Sequence, residues 1–447
     1  MDDTVKYELS DIDKMGMRKS VKLFVIYELQ PAIDLDDLIS SIMEGVRNAT
    51  RQLPFIAGDL QIHDHGKVYI VTHPGSQVEV NIRRFEPTEH KSLSALASDG
   101  FNPNHLDPIM MLPEEPTSNN PVCALQLSLI EGGLVLGFSM NHAVGDWFSI
   151  DTFLSLVCQS SKAHQEGLEM PTYMPDLNRT PYNTSASGPT ISKTELQEKL
   201  PMFYIMDMSS FKPKPPPASK SGIYKISETS IQKLKAKCGP FLNGVDYITS
   251  YDCISAIIWT AVTRARLHLL PEKATSLSRF IHPIDVRTRD PDNKTSDRYF
   301  GNAVIATQAG PLTAEALVSD GVRGLAAAAS LIRQSIYSVD MFSIGYMTSL
   351  MGSLSPGEII GSRADFADMD ILMTSWYSGT AEKYDIGSAA SPVAVRLPPP
   401  MARAAMILPN FSRGGRRVFE VLVELAVEDH DLLRKDAEFL EYFDVVA

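Results

Sequence analysis

Two apolar runs near residue 140 predict neighbouring strands. Cys123 to Ile130 and Leu134 to Met140 are separated by Glu131-Gly132-Gly133, and a short Gly-rich connection between apolar runs is typical of a hairpin. Apolar residues then recur at helical spacing from Phe148 to Val157. His142 therefore lies at a predicted junction between a buried strand and a helix, where rigid backbone can hold a side chain open to a cleft.

Apolar and polar positions predict further strands and helices in the first half of the chain. The run from Val21 to Leu29 predicts a strand covered on both faces. An acidic segment beginning at Asp34 opens a predicted helix that ends near Arg51. Short strands are predicted around residues 60–62 and 68–72. This alternation favours an α/β fold.

The second half repeats the alternation. Gly222 to Ile226 predicts a strand, and Thr249 predicts the N-cap of a helix. Ile281 to Arg287 predicts a buried strand interrupted by Pro283, because proline lacks a backbone N–H. Leu312 to Ser338 predicts one long helix.

Toward the end of the chain the pattern predicts two strands and a closing helix. The strands are Ala404 to Leu408 and Val418 to Leu425, and the helix is Glu428 to Phe439. Upstream, the segment from Met341 to Met351 is rich in Met, Gly and Ser. Methionine fills irregular space, so this segment predicts adaptable packing around a pocket or in a core.

Length and composition limit the classes of protein. A chain of 447 residues with 44% hydrophobic and 21% charged residues predicts a globular protein of two or three domains, and two large ones would suit. Lys and Arg total 41 against 54 Asp and Glu, a net charge of 41 − 54 = −13, which disfavours nucleic acid or an anionic membrane as the main partner. The acidic start and the lack of long apolar stretches predict a cytosolic protein.

Cysteine spacing and one histidine-rich turn give no support for metal or disulfide chemistry. The four cysteines lie far apart, which predicts buried, reduced thiols. His63-Asp64-His65 falls in a predicted hairpin turn without a third ligand nearby, so a solvated turn is the better interpretation. Prolines and polar residues gather between Pro171 and Pro217, which predicts a linker between domains.

The spacing His142-x-x-x-Asp146, with Gly145 before the carboxylate, predicts a catalytic turn. A lone histidine after a strand is more often a packed core residue. Four further segments follow in a fixed order, and they strengthen the catalytic interpretation of His142. Together with His142 to Asp146 they are Thr249 to Trp259, Ile284-Asp285-Val286-Arg287, Tyr299-Phe300-Gly301-Asn302, and Thr374-Ser375-Trp376 with Asp385-Ile386-Gly387 beyond.

This ordered set resembles the BAHD acyl-coenzyme A acyltransferases over nearly the whole chain. The altered late motif and the acidic closing helix are more similar to the fungal branch that includes trichothecene 3-O-acetyltransferase than to the plant enzymes. Where the family carries Asp-Phe-Gly-Trp-Gly, this chain has Asp385-Ile386-Gly387-Ser388-Ala389. The resemblance implies that the segment with Asp385 and Gly387 shapes the coenzyme A channel without lining it. The replacements in this motif are therefore expected to affect the affinity for the acyl-coenzyme A donor more than the catalytic step.

The resemblance also implies an architecture. It predicts two chloramphenicol-acetyltransferase-like α/β domains with mixed sheets, flanking helices and an active-site channel between them. The expected boundaries are residues 1–186, a crossover loop at 187–221, and residues 222–447. We expect a monomer with no metal ion.

Roles follow from the resemblance for five residues. His142 is expected to act as general base on an acceptor hydroxyl, in a ternary complex with acyl-coenzyme A and without a covalent intermediate. Trp376 and Thr374 are expected to stabilise the oxyanion or orient the acceptor. Asp146 is expected to be structural and to pair with Arg287. The competing hypothesis is a relay in which Asp146 orients the imidazole.

The expected donor is acetyl-coenzyme A, and the expected acceptor is a hydrophobic secondary-metabolite alcohol of the fungal terpenoid or alkaloid type. The Met-rich segment near Met341 to Met351 suits such an acceptor, and an amine acceptor is the alternative. No residue is assigned to the coenzyme A phosphates. Condensation-type domains of peptide synthetases, carnitine-type acyltransferases and a non-catalytic ligand-binding relative are the competing classes. His142, Asp146, Asn302 and Trp376 are all present, which disfavours the non-catalytic relative.

Overall fold

The computed structural model of the protein describes residues 3–16, 20–63, 67–114, 120–183, 191–210, 212, 218–289, 296–387, 390–398, 403–409, 411 and 417–447. Strands β1 to β17 are, in order, Val5–Glu8, Ser20–Leu29, Asp59–Ile62, Val68–Thr72, Glu79–Arg84, Cys123–Ile130, Gly133–Asn141, Phe203–Asp207, Ser219–Ser227, Leu277–Asp285, Val304–Thr313, Glu358–Ser362, Ile371–Ser375, Ala390–Arg396, Ala404–Ile407, Val418–Ala426 and Phe443–Val445. Helices α1 to α12 are Leu35–Gln52, Leu93–Ser98, Pro108–Met111, Trp147–Glu166, Lys193–Lys199, Glu228–Cys238, Ser250–Leu269, Ala314–Val318, Gly321–Ser338, Met341–Gly352, Val427–Leu433 and Ala437–Leu440.

A five-stranded mixed sheet with the order β14-β2-β7-β6-β5 organises the first half of the chain. The central strands β2 and β7 are antiparallel and pair Leu23 with Phe138, whereas β5 joins β6 in parallel. Leu23 packs in one buried cluster with helices α1 and α4, while Phe24 packs in another on the opposite face. Strand β2 is therefore covered on both faces, as its continuous apolar run predicts.

A seven-stranded mixed sheet organises the second half, in the order β11-β10-β13-β15-β16-β9-β17. Strand β13 is parallel to both of its neighbours, and the other pairs are antiparallel. Helices α7 and α9 pack against this sheet through Ile258 and Ile332. The indole N–H of Trp259 donates to Ser278 Oγ at 2.8 Å and joins α7 to β10. The predicted α/β class with mixed sheets and flanking helices is confirmed.

The second half of the chain contributes one strand to the first sheet. Strand β14 belongs to the second half of the sequence but pairs with β2 in the first sheet, with Val395 opposite Val25. Helix α5 and strand β8 lie within the predicted crossover loop at 187–221, and β9 begins at Ser219. Because β14 lies in the sheet of the other half, the two sheets do not divide the chain at a single point. The domain boundaries therefore remain a prediction.

Three element predictions are wrong, two because strand pairing overrides the local pattern and one because a second helix cap was missed. Leu312 pairs with Ser278 in the β10–β11 ladder, so the expected helix at 312–338 starts as a strand and continues as α8 and α9. Strand β10 runs through Pro283, which lies opposite Ala306 without interrupting it. The closing helix is divided into α11 and α12, because Asp436 caps a new helix by accepting from Phe439 N. Strand β17 follows it.

The cysteines and the helices carry no sign of redox or membrane-spanning roles in the described ranges. Cys123, Cys158, Cys238 and Cys253 are free and buried. Burial raises the pKa of Cys158 to about 12, so its thiol stays protonated near neutral pH. Among the described helices, none combines the length and the apolar character that a bilayer crossing needs.

Candidate active site

A cavity of about 910 Å³ lies between the two large sheets. Its wall is mostly apolar, and the charged side chains among the described lining residues are Lys22 and Glu114. Strands of both sheets contribute to it, together with the segment around residues 12–16. The lining residues are Ile12, Met15, Gly16, Ser20, Val21, Lys22, Pro108, Ile109, Leu112, Pro113, Glu114, His142, Pro283, Asn302, Val304, Ala306, Leu372, Thr374, Trp376, Leu397, Pro398 and Met406.

His142 follows directly after strand β7 and faces this cavity, as the strand–helix pattern predicts. Asn141 Oδ1 accepts a hydrogen bond from Ala143 N at 2.9 Å and fixes the turn on either side of the histidine. The imidazole Nδ1 lies 3.1 Å from Asn302 Oδ1. No described residue forms a hydrogen bond with Nε2.

The contacts of Asn302 determine which imidazole nitrogen carries the proton. Its side-chain Nδ2 donates to His142 O at 2.8 Å and to Asp13 Oδ1 at 3.0 Å. Both partners can only accept, so the amide oxygen must face the imidazole. Because Asn302 Oδ1 is an acceptor, His142 Nδ1 must be the donor. The neutral imidazole therefore has its lone pair on Nε2, the nitrogen that a general base needs free.

Asp146 does not contact the imidazole. Its two carboxylate oxygens accept from Arg287 at 2.9 Å each, in a buried bidentate pair. Ser149 N and Ala303 N also donate to this carboxylate, at 3.3 and 2.9 Å. Burial alone would lower the pKa of Arg287, but the Asp146 carboxylate reverses this and raises it. The contact expected between Asp146 and Arg287 is present, and it joins the two halves of the chain beside the cavity.

Trp376 and Thr374 lie on the cavity wall opposite the first sheet. Thr374 is in strand β13, and Trp376 follows that strand. The indole of Trp376 stacks on Trp147 with ring centroids 4.3 Å apart and planes 2° apart. Trp147 is itself held by a hydrogen bond from its N–H to Ser378 Oγ at 2.9 Å. Neither the indole N–H of Trp376 nor the hydroxyl of Thr374 forms a hydrogen bond with a described residue.

Asp385 and Gly387 lie away from the cavity. Asp385 Oδ2 accepts from Lys162 Nζ of helix α4 at 2.7 Å, and Asp385 Oδ1 accepts from Gly387 N at 2.9 Å. Gly387 has φ +111. The neighbouring residues Ser388 and Ala389 lie outside the described ranges. The contact between Lys162 and Asp385 connects the segment after Trp376 to helix α4, which follows His142.

Replacing Gly387 by Ala should lower the free energy of unfolding by about 1–3 kcal/mol, because a side chain is strained at this positive φ. Gly239 is a matched control, since its φ is −46 and a methyl group there would meet open space. Urea unfolding of both variants measures the difference. Equal stability of Gly387→Ala and Gly239→Ala would contradict the conclusion that the backbone at Gly387 requires a glycine.

The Met-rich segment does not line the cavity. Met341 to Gly352 is helix α10, capped by Asp340, and Met347 is buried in a separate hydrophobic cluster. The methionines on the described wall are Met15 and Met406. Of the two alternatives predicted for this segment, packing in a core is confirmed for Met347, and a place on the wall of this cavity is wrong.

Two charged residues near His142 were missed by sequence reasoning. Asp13 and Arg179 form a buried pair, with Arg179 Nε 3.0 Å from Asp13 Oδ2. Asp13 lies 289 positions from its partner Asn302, so no local pattern could connect them. Among the described residues, no group of three or more His, Cys, Asp or Glu side chains could hold a metal ion, and Asp64 and His65 lie outside the described ranges.

The chain matches two family models and several known acyltransferases. The Transferase family model matches residues 91–440, and the model of the trichothecene 3-O-acetyltransferase-like N-terminal domain matches residues 20–160. The acyltransferase cm3D of Cordyceps militaris is 24% identical, over 97% of this chain and 96% of its own. Trichothecene 8-O-acetyltransferase of Fusarium sporotrichioides is 23% identical, over 86% of this chain and 84% of its own.

Solved structures show the same fold at low sequence identity. F. graminearum TRI101, complexed with coenzyme A and T-2 mycotoxin, superposes with a TM-score of 0.81 at 18% identity, over 99% of this chain and all of its own. Vinorine synthase superposes with a TM-score of 0.67 at 17% identity, over 98% and 94%. Since the Transferase family model covers well over half of the sequence, the chain belongs to this family, the BAHD acyltransferases.

Proposed function

We propose that this acyltransferase moves an acetyl group from acetyl-coenzyme A to a hydroxyl of a hydrophobic secondary metabolite, with His142 as general base. One observation carries the proposal. The hydrogen bonds of Asn302 leave Nε2 of His142 with a free lone pair in a cavity lined from both halves of the chain.

In the proposed reaction both substrates meet in the cavity. Nε2 removes the proton of the acceptor hydroxyl while its oxygen attacks the thioester carbonyl, because a neutral hydroxyl is a poor nucleophile. The tetrahedral intermediate collapses by breaking the carbon–sulfur bond. His142 returns the proton to the departing sulfur, so coenzyme A leaves as a thiol and the histidine is neutral again. No bond to the enzyme is formed.

The negative charge on the intermediate needs hydrogen-bond donors. Trp376 Nε1 and the hydroxyl of Thr374 are suited to this, since both belong to cavity-lining residues and neither has a described partner. Stacking on Trp147 holds the indole of Trp376 in one orientation, so its N–H needs little reorganisation when charge develops. Thr374 is the alternative donor or a contact to the acceptor.

The character of the wall supports a hydrophobic acceptor. Ile12, Val21, Leu372 and Met406 are among the side chains that line the cavity, and apolar walls with few polar groups favour compact hydrophobic ligands. F. graminearum TRI101 has been crystallised with coenzyme A and the mycotoxin T-2. The proposed acceptor is therefore a polycyclic alcohol of the terpenoid or alkaloid class.

The test is an acceptor screen with purified protein. Acetyl-coenzyme A is mixed with pooled terpenoid and alkaloid alcohols, and in a separate arm with amines, while thiol release is followed and products are identified by mass spectrometry. Acetylated alcohols are expected. Products from the amine arm alone would replace O-acetylation by N-acylation. Binding of coenzyme A without thiol release from any pool would support a non-catalytic relative.

Trp376→Phe should lower kcat by roughly 10²–10³-fold, because it removes one oxyanion donor and keeps most of the stacking on Trp147. Trp259→Phe is the matched control. Trp259 is buried and its N–H also donates, but to Ser278, and Trp259 is not one of the described lining residues. Its loss should therefore reduce stability and leave kcat unchanged. If kcat of Trp376→Phe stays near that of the parent, Thr374 becomes the better candidate.

A further inference from the structure

We infer that Asp13 is a positioning residue that selects the tautomer of His142 through the side chain of Asn302. The inference rests on the proposed role of His142 as general base and extends it to a residue near the start of the chain. Asp13 does not line the cavity. It acts on the imidazole by orienting the amide between them.

The carboxylate of Asp13 is completely buried and hydrogen-bonded on both oxygens. Oδ1 accepts from the backbone N of Asn302 at 2.8 Å and from its side-chain Nδ2 at 3.0 Å. Oδ2 accepts from Ser10 N at 2.9 Å and from Arg179 Nε at 3.0 Å. Each of these four partners is an N–H donor, so the position requires a group that only accepts.

This requirement is transmitted to His142. An asparagine side chain can turn its oxygen or its nitrogen toward a neighbour, and the two orientations impose opposite tautomers on an imidazole. With Asp13 accepting from Nδ2, the oxygen of Asn302 is directed at His142 Nδ1, 3.1 Å away. The backbone oxygen of His142 also accepts from Nδ2, at 2.8 Å, and favours the same orientation.

Close packing holds the segment of Asp13 against the catalytic turn. Gly16, three residues later, lies so near that an added Cβ would be 2.5 Å from the backbone carbon of His142. Arg179 comes from a third part of the chain, and its Nη2 also donates to Phe300 O at 3.5 Å. The orientation of Asn302 is therefore determined by residues distant in sequence that converge beside the imidazole.

Asp13→Asn should change the tautomer. The new NH2 group cannot face the Arg179 guanidinium without opposing a positive charge, so it takes the place of Oδ1. There it opposes the Nδ2 group of Asn302. By reversing, the Asn302 amide gains a hydrogen bond from residue 13 and loses the one from Nδ2 to His142 O, so the reversed orientation becomes populated beside the original one. The nitrogen of Asn302 would then donate to His142 Nδ1, leaving the proton of the imidazole on Nε2. In that tautomer Nε2 already carries a proton and cannot remove the proton of the substrate hydroxyl. A catalytic triad loses activity for the same reason when its carboxylate is replaced by an amide.

The experiment observes the imidazole directly. Protein labelled with nitrogen-15 histidine is studied by NMR at about pH 8, where ordinary histidines are neutral, and the His142 signals are assigned from the spectrum of His142→Ala. The wild-type protein should carry the proton on Nδ1. Asp13→Asn should show a substantial population with the proton on Nε2, and kcat should fall in proportion to the lost Nδ1–H population, which gives about a tenfold loss where nine-tenths of that population is lost.

Asp252→Asn is the matched control. Asp252 is also fully buried and accepts from an arginine, with Arg333 Nε at 2.8 Å, but its other partner is Thr249 rather than Asn302. Both substitutions break a buried ion pair and should lower the melting temperature. Only Asp13→Asn should alter the tautomer of His142.

Two results would overturn the inference. One is a wild-type spectrum with the proton on Nε2, a measurement that needs no variant to fold. The other is an unchanged tautomer in Asp13→Asn, whatever happens to stability. Because the spectrum is recorded without substrate, it stands even if no acceptor is found, so failure of the proposed acetyl transfer and failure of this inference are distinguishable.

Discussion

His142→Ala should lower kcat by about 10²–10⁴-fold, the usual contribution of a general base. The imidazole is half-buried at the end of β7, and its Nε2 has no hydrogen-bond partner among the described residues. Removing it should leave the fold and coenzyme A binding intact. The measurement is steady-state kinetics with the acceptor found by screening, together with a coenzyme A titration of the variant.

The matched control for this prediction is His268→Ala, an exposed histidine near the end of helix α7. It should retain the activity of the parent. His142→Gln keeps a polar side chain of similar length and should be as inactive as the alanine variant, since an amide cannot take up the proton. Activity of both His142 variants within tenfold of the parent would remove His142 from the mechanism.

Asp146→Asn and Arg287→Met should each lower the free energy of unfolding by about 3–5 kcal/mol, the usual cost of leaving one member of a buried ion pair without its partner. The pair is bidentate, and both side chains are less than 10% exposed. Activity should fall in parallel, because Asp146 also accepts from Ala303 N, next to Asn302. The double variant should lose little more than either single one. Thermal or urea unfolding and kcat are measured on all three proteins.

The opposing hypothesis makes Asp146 the group that orients His142. It predicts that Asp146→Asn is stable but about a thousandfold slower, while Arg287→Met stays near normal. The hydrogen bonds favour the structural role, since both Asp146 oxygens are used by Arg287 and backbone N–H groups, and the imidazole Nδ1 bonds Asn302 instead. A stable, inactive Asp146→Asn beside an active Arg287→Met would reverse this conclusion.

Local chemistry accounts for the features that the sequence predicts well. A Gly-rich turn between two apolar runs predicts the β6–β7 hairpin, which the structure has as Cys123–Ile130 and Gly133–Asn141. Thr249 caps α7 in a reciprocal arrangement with Asp252. Each of these features depends on residues a few positions apart, so the sequence carries the whole signal.

Pairing between distant segments accounts for the failures. Leu312 joins a strand because Ser278 lies opposite it, and β14 joins the first sheet because β2 offers a free edge. The Met-rich segment has no periodicity that says which cavity or core it will face, and only the packing of α10 decides that. The methionines that do line the cavity, Met15 and Met406, could not be identified from the residues around them in the sequence.

The candidate site divides in the same way. The sequence by itself determined that His142 follows a strand, that Asp146 lies four residues later before a helix, and, through an ordered set of motifs, which family the chain resembles. Only the tertiary structure decided that Asn302 rather than Asp146 faces the imidazole, and that Asp13 and Arg179 determine how Asn302 is turned. The physical reason is that a tautomer depends on the direction of individual donors and acceptors. That direction is determined by segments up to 289 positions apart in the chain.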